Sequence, residues 1–179
     1  MDNVISTDRL LLTPLNENVL NFITELEQRR ESYKHDADVA PAAEKIAERC
    51  RWFIERARLL PAEGAIRWII NKNNSPIGEV HLTCNWETTH EWEIGYKLMK
   101  EYWGNGFACE AVKAVIKYAF ANFDVNRIAA FINAENIKSA ALAERAGMTK
   151  DGRLREVRFV KGTYNDEYVF SILKREFKQ

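Results

Sequence analysis

Two glycines, Gly104 and Gly106, sit in EYWGNGFACEAV between a strand-like run and a strongly amphipathic one. Glycine costs about 1 kcal/mol relative to alanine inside a helix, so its place at a helix start needs a reason. A tight turn is one reason. An anion pressed against the backbone is another. A helix N-terminus presents unpaired N–H groups and a partial positive charge, and glycine lets a ligand come close. Spacing alone leaves both readings open. Just upstream, EWEIGYKLM (91–99) alternates: Trp92, Ile94, Tyr96 and Leu98 point one way, and Glu91, Glu93, Gly95 and Lys97 the other. Carboxylates on one strand face can take protons, or can simply be a solvated face.

Several other chemistries are excluded or left without support. A P-loop needs Gly-Lys-Ser/Thr, which is absent. A dinucleotide fingerprint needs a small third residue where this chain has Cys109. Cys50, Cys84 and Cys109 are widely spaced, form no CxxC, and make no zinc pattern with His35, His81 or His90, so no metal is expected. Cys109 lies in the first turn of a helix, where a thiolate is favoured, but no His is tied to it and packing is its expected role. Lys plus Arg and Asp plus Glu number 26 each, which argues against a general nucleic-acid or anionic-membrane binder. The N-terminus reads as neither a signal peptide nor a membrane span, and the cysteine usage suggests a reducing cytoplasm.

The elements that must position these residues follow from periodicity. Residues 9–15 read as a strand, and Glu17 to Glu31 as a helix. HDADVAPA is a loop. Ala43 to Ala57 recurs at helical spacing and is ended by Pro61 and Gly64. Runs 65–72 and 76–84 flank an Asn-Asn-Ser turn and form a hairpin, followed by the strand at 91–99. Ala108 to Phe123 is the strongest helix in the chain. A strand at 127–133, a helix from Asn136 to Ala146 stopped by Gly147, and a terminal hairpin around Gly162 complete the chain. The order β-α-α-β-β-β-α-β-α-β-β, without linker or repeat, predicts one α/β domain over residues 1–179.

YWGNGFACEA resembles the acetyl-CoA-binding motif of GNAT N-acetyltransferases, most closely of the RimJ/RimL type. Glu101 stands where the superfamily has Gln or Arg. TDRLLLTPL, IGEVHL, EIGYKL, NAENIKSAALAERAGM and GRLREVRFVKGTYND resemble further segments of the family in the same order. The resemblance implies a mixed sheet that splays between its fourth and fifth strands, with acetyl-CoA as cosubstrate in the gap. It implies that Gly104, Asn105, Gly106, Phe107 and Ala108 hold the pyrophosphate through backbone N–H groups, and that Leu98 and Met99 offer backbone groups to the pantetheine. Asn136 and Ser139 fall on the family's N-x-x-S positions, where a helix N-cap is an equally good account of Asn136.

Acetyl transfer to an amine needs a neutral nitrogen and, in the end, a proton for the leaving thiolate. Glu93 resembles the fourth-strand glutamate that acts as base in some members of the family. The tyrosine acid of many members is replaced by Ala143, which leaves Ser139 as the candidate donor. The expected reaction is direct transfer to a primary amine, either a protein N-terminus or a small amine. Glu91, Glu93, Asp36 and Asp38 favour a cationic acceptor. A non-catalytic CoA-binding module and an unrelated α/β interaction domain are the alternatives, and monomer or homodimer remains open.

Overall fold

The computed structural model describes residues 3–60, 64–84 and 91–177; Pro61 and His90 lie outside them. The strands are β1 (Ile5–Ser6), β2 (Leu11–Pro14), β3 (Ala65–Lys72), β4 (Ser75–Cys84), β5 (Glu91–Leu98), β6 (Arg127–Asn133), β7 (Thr149–Val160) and β8 (Thr163–Leu173). The helices are α1 (Leu20–Gln28), α2 (Arg30–Tyr33), α3 (Ala43–Arg56), α4 (Phe107–Asn122) and α5 (Ile137–Arg145). The strands form one open eight-stranded mixed sheet in the order β1-β2-β3-β4-β5-β6-β8-β7. All neighbours are antiparallel except β5 and β6, which are parallel and joined by α4 as the crossover.

Strand alternation assigns each helix to a face. Trp68, Ile70, Val80, Leu82, Trp92 and Ile94 point to one side, where they pack with Ala111, Val112, Val115 and Ile116 of α4. Trp92 stacks on Phe123 at 4.9 Å between ring centroids. Ala65 and Ile69 point to the other side, against Ile23 of α1 and Ile46, Cys50 and Phe53 of α3. Burying each such large apolar side chain contributes about 1.5–3 kcal/mol, so the two cores fix which side chains face which helices. No helix among the described residues is long and apolar enough to cross a membrane.

Three local features depart from the sequence reading. The helix expected from Glu17 to Glu31 breaks at Arg29, whose backbone is extended (φ −67°, ψ 133°). Its guanidinium is held there by Glu25 at 2.6 Å and Glu101 at 2.8 Å. A short strand, β1, precedes the expected first strand and pairs with it through Ile5 and Leu12. The strand entering the C-terminal hairpin begins at Thr149, five residues before the expected Leu154, and carries two register shifts. The remaining elements agree. Asn73 and Asn74 make the β3–β4 turn with positive φ (49° and 63°). Gly147 and Met148 close α5 with N–H bonds to Glu144 and Ala143, a Schellman motif.

Candidate active site

The site begins where the sheet opens. β5 and β6 pair only at Glu91/Arg127, Trp92/Ile128 and Glu93/Ala129; beyond Glu93 they part. The register explains what faces the opening. Met99 N–H donates to the Ile77 carbonyl at 2.9 Å, so odd-numbered residues of β5 turn their backbone to β4 and even-numbered ones turn away. Backbone groups of Tyr96 and Leu98 therefore edge the gap. The expectation for Met99 is corrected: its N–H is consumed by the neighbouring strand. The Leu98 carbonyl is also taken, by the Trp103 indole at 2.8 Å, which leaves its N–H side. A cavity of ≈ 570 Å³ fills the opening, lined among others by Glu93, Gly95, Tyr96, Phe131, Asn136 and Ser139.

Beside one end of the gap lies the start of α4. Gly106 is its N-cap, in the left-handed region (φ 80°, ψ −2°). The helical ladder opens with Glu110 N–H to the Gly106 carbonyl at 3.0 Å. The N–H groups of Gly106, Phe107, Ala108 and Cys109 precede it, and with the helix dipole they can take an anion. At Gly104 (φ 80°) a Cβ would have no heavy atom within 4 Å among the described residues beyond its chain neighbours, so the turn faces open space. The turn is rigidly held. The Asn105 amide donates to the Tyr102 and Trp103 carbonyls, and Arg9 donates to the Asn105 carbonyl at 3.1 Å. Arg9 also grips Glu110 and lies 4.6 Å above the buried Phe107 ring. Glu101 points to Arg29, with which it is ion-paired at 2.8 Å. Cys109 packs half-buried against the core.

Across the gap, Asn136 caps α5: its side chain accepts from Ser139 N–H at 3.3 Å. Ser139 Oγ lies 2.8 Å from the Tyr96 hydroxyl, a contact that ties α5 to β5 where the sheet itself is unpaired. Burial pushes the Tyr96 phenol up to about 12, so it carries its proton at neutral pH. Sequence reasoning missed this residue, because alternation placed Tyr96 among packing side chains. Its position after Glu93 and Gly95, on the strand edging the gap, was the available signal.

Glu93 lines the cavity from the opposite face of the sheet, the one covered by α3. The other expected acids fare differently. Glu91 is ion-paired with Arg127. Asp38 accepts from Lys161 N–H and anchors the α2–α3 loop to the terminal hairpin. The same loop is tied to β6 by Asn133, which donates to the His35 carbonyl at 2.9 Å. Asp36 lies on this loop and lines the cavity with Glu93. An anion cradle on one side of a split sheet and carboxylates on the other can hold two different reactants, with the gap as their meeting point.

Known proteins are similar to this chain in sequence or in fold. The uncharacterized N-acetyltransferase p20 of Bacillus licheniformis is 45% identical over 85 residues, and the match spans about half of each chain (48% of each). A RimL ribosomal L7/L12 α-N-protein acetyltransferase, solved with coenzyme A, superimposes with a TM-score of 0.84 at 17% identity, covering 96% of this chain and 98% of that one. The spermidine N-acetyltransferase of Vibrio cholerae, solved with CoA and spermine, superimposes with a TM-score of 0.80 at 24% identity, covering 95% and 98%. The model of the acetyltransferase (GNAT) domain matches residues 9–149, and this chain therefore belongs to the GNAT acetyltransferase family.

Proposed function

We propose that residues 1–179 form one acetyltransferase domain of the RimJ/RimL type, which moves an acetyl group from acetyl-CoA to a primary amine. The observation that carries this reading is the split sheet: pairing between β5 and β6 stops at Glu93, with the start of α4 beside the gap on one face and Glu93 on the other. The free N–H groups from Gly106 to Cys109 fit the pyrophosphate, and the open space at Gly104 gives it room. The Tyr96 and Leu98 edges fit the pantetheine, as an added strand would. Asn136 keeps its amide N–H donors for the same ligand while its oxygen caps α5. The three cysteines are free, which supports a reducing compartment such as the cytoplasm.

In this reading the thioester supplies the acetyl group, and the protein supplies proton transfer and position. Glu93 removes the proton that keeps a cationic amine from attacking. Ser139, with Tyr96 behind it, offers a hydrogen to the departing sulfur. A thiolate is already a fair leaving group (pKa about 8.5 for a free thiol), so this donor is the smaller contributor. Tyr96→Phe should accordingly lower kcat only about tenfold, within the range of a single lost hydrogen bond of about 1.4 kcal/mol. Steady-state thiol release checks this, and a loss as large as that of the base would move Tyr96 to the centre of the reaction.

The acceptor is a cation, and an α-amine before a lysine. Asp36 and Glu93 attract an ammonium but also make it harder to deprotonate. An α-amine, with a pKa of about 8, loses its proton more readily than a lysine near 10.4. The likeness to RimL supports an N-terminal acceptor, and the likeness to the spermidine enzyme supports a polyamine. The deciding experiment offers one peptide with a free N-terminus and an internal Lys, beside spermine and an arylamine, and maps the acetyl group by fragmentation. Labelling at the α-amine is expected. Exclusive Lys labelling, or preference for the arylamine, overturns the acceptor assignment. CoA binding with no thiol release from any amine leaves a binding module.

A further inference from the structure

The face of the sheet that carries Glu93 also carries a chain of charged side chains that the proton transfer above does not use. Arg67 pairs with His81 across β3 and β4, and His81 pairs with Gly95 across β4 and β5. Cross-strand partners share a face, so Arg67, Glu79, His81 and Glu93 all look toward α3. Glu79 is fully buried. Its Oε2 lies 3.1 Å from His81 Nδ1 and 3.2 Å from Arg67 Nε, while its Oε1 has no hydrogen-bond partner among the described residues. Arg67 is braced by Glu27 at 3.0 Å and lies 4.3 Å above the Phe53 ring. Burial works to raise the Glu79 carboxyl, but Arg67 and His81 outweigh it and hold it at about 2.

An ionised carboxylate only accepts, so the hydrogen in the Glu79–His81 contact belongs to Nδ1. In the neutral ring the lone pair is then on Nε2. That edge of the ring lies directly over Gly95, where a Cβ would stand 2.5 Å from Nε2 and Cε1. A strand glycine marks such a close approach. Gly95 is two residues from Glu93, so His81 and Glu93 are diagonal neighbours on one face of the sheet, about 7–8 Å apart between Cα atoms, and both line the same cavity. The His81 ring is 23% exposed and lines the same cavity.

We propose that His81, oriented by Glu79, is the proton relay of the acceptor face: it takes from Glu93, through one water, the proton that Glu93 removes from the amine, and passes it to solvent. This rests on the reading in which Glu93 is the base. An ammonium acceptor has three N–H bonds and the amide product one. Two protons leave nitrogen by way of Glu93 and His81, one before the lone pair forms the C–N bond and one after. The C–S bond breaks with its electron pair on sulfur, and the sulfur gains one proton from the Ser139 side. Groups of both signs line the same cavity as the ring: Arg67 from β3, Glu93 and Lys97 from β5, Arg49 from α3 and Asp36 from the loop, with Glu79 on its own strand. His81 acts through Glu93, so it is a positioning residue, and its test must read protons rather than rate alone.

Two measurements provide that test, and one needs no acceptor. Nitrogen-15 NMR of the imidazoles, with His81 assigned by its absence in His81→Gln, should show the neutral ring protonated on Nδ1. An Nε2–H tautomer overturns the proposal. In thiol-release kinetics with a free-N-terminus peptide or spermine, His81→Gln should lower kcat about 10²-fold. It should also change the shape of the pH profile and leave CoA affinity unchanged. Added imidazole should partly restore His81→Ala. A wild-type pH profile in His81→Gln overturns the relay and leaves acetyl transfer standing. No thiol release from the unmodified protein with any amine overturns acetyl transfer and the relay together, whichever tautomer is seen.

Discussion

Replacing Glu93 by Gln should lower kcat about 10²–10⁴-fold while acetyl-CoA binds as before. The amide keeps the size and the strand position of the side chain but cannot accept a proton, and a positioned general base contributes a factor of that order. The fall corresponds to about 3–5 kcal/mol of transition-state stabilisation, larger than any packing change an isosteric amide would bring to a half-buried strand position. Affinity for the cosubstrate should survive because Glu93 looks toward α3, whereas the free N–H groups belong to α4 on the other face of the sheet. Steady-state thiol release across the pH range, with calorimetry for CoA, separates the two. Near-normal turnover at every pH would remove Glu93 as the base. Glu91 would not be the next candidate, since Arg127 holds it in an ion pair. If Glu93 and His81 act in series, the double variant should lose no more than the worse single one, because groups that act as a unit are not additive.

Much of this site was legible in the sequence because two periodicities and a few special backbone residues encode it. The 3.6-residue pattern from Ala108 to Phe123 needed no tertiary information, since the apolar stripe of α4 is also its buried face. The two-residue pattern of β5 correctly put Glu93 and the Trp92–Ile94 side on opposite faces. Asn73, Asn74, Gly106 and Gly147 were readable because their backbone conformations restrict which residues fit. What was not legible depends on neighbours that sequence spacing does not supply. Alternation says that Met99 follows β5 but not which way its N–H points, and that is set by the register with Ile77. The break at Arg29 is stabilised by Glu101, 72 residues away in the chain. Tyr96 and Ser139 come from a strand and a helix that meet only because β6 diverges from β5. No spacing signals that Arg67, Glu79 and Glu27 are buried; they are, because Arg67 pairs with both carboxylates beneath α3.

Gly106→Val should weaken CoA binding by about 10²-fold or more with the fold retained. The pyrophosphate fit relies on N–H groups that converge at the start of α4, and hydrogen bonds to charged groups contribute about 1.5–3 kcal/mol each. Losing one or two of them costs a factor of ten for each 1.4 kcal/mol. Valine acts in two ways here. Its branched side chain occupies the space that the anion must enter, since among the described residues, its chain neighbours aside, only Arg9 Nη2, at 3.4 Å, lies within 4 Å of a Cβ at this position. It also places a β-branched residue at φ 80°, a strain of order 1–3 kcal/mol that could distort the turn without any blocking. Gly162→Val separates the two effects. Gly162 has φ 72° and nothing within 4 Å of its Cβ position, but lies in the β7–β8 turn rather than at a helix start. It should lose a similar amount of thermal stability and keep its CoA affinity in calorimetry. Gly104→Ala adds one methyl group at φ 80° where no protein atom lies within 4 Å, so most of its effect on affinity should come from the ligand it meets. If Gly106→Val binds CoA as tightly as the unmodified chain while its folded spectrum is intact, the two glycines form a turn and nothing more. The acetyl donor would then have to be held by the strand edges of the gap alone, where one side still offers the backbone of Tyr96 and the N–H of Leu98.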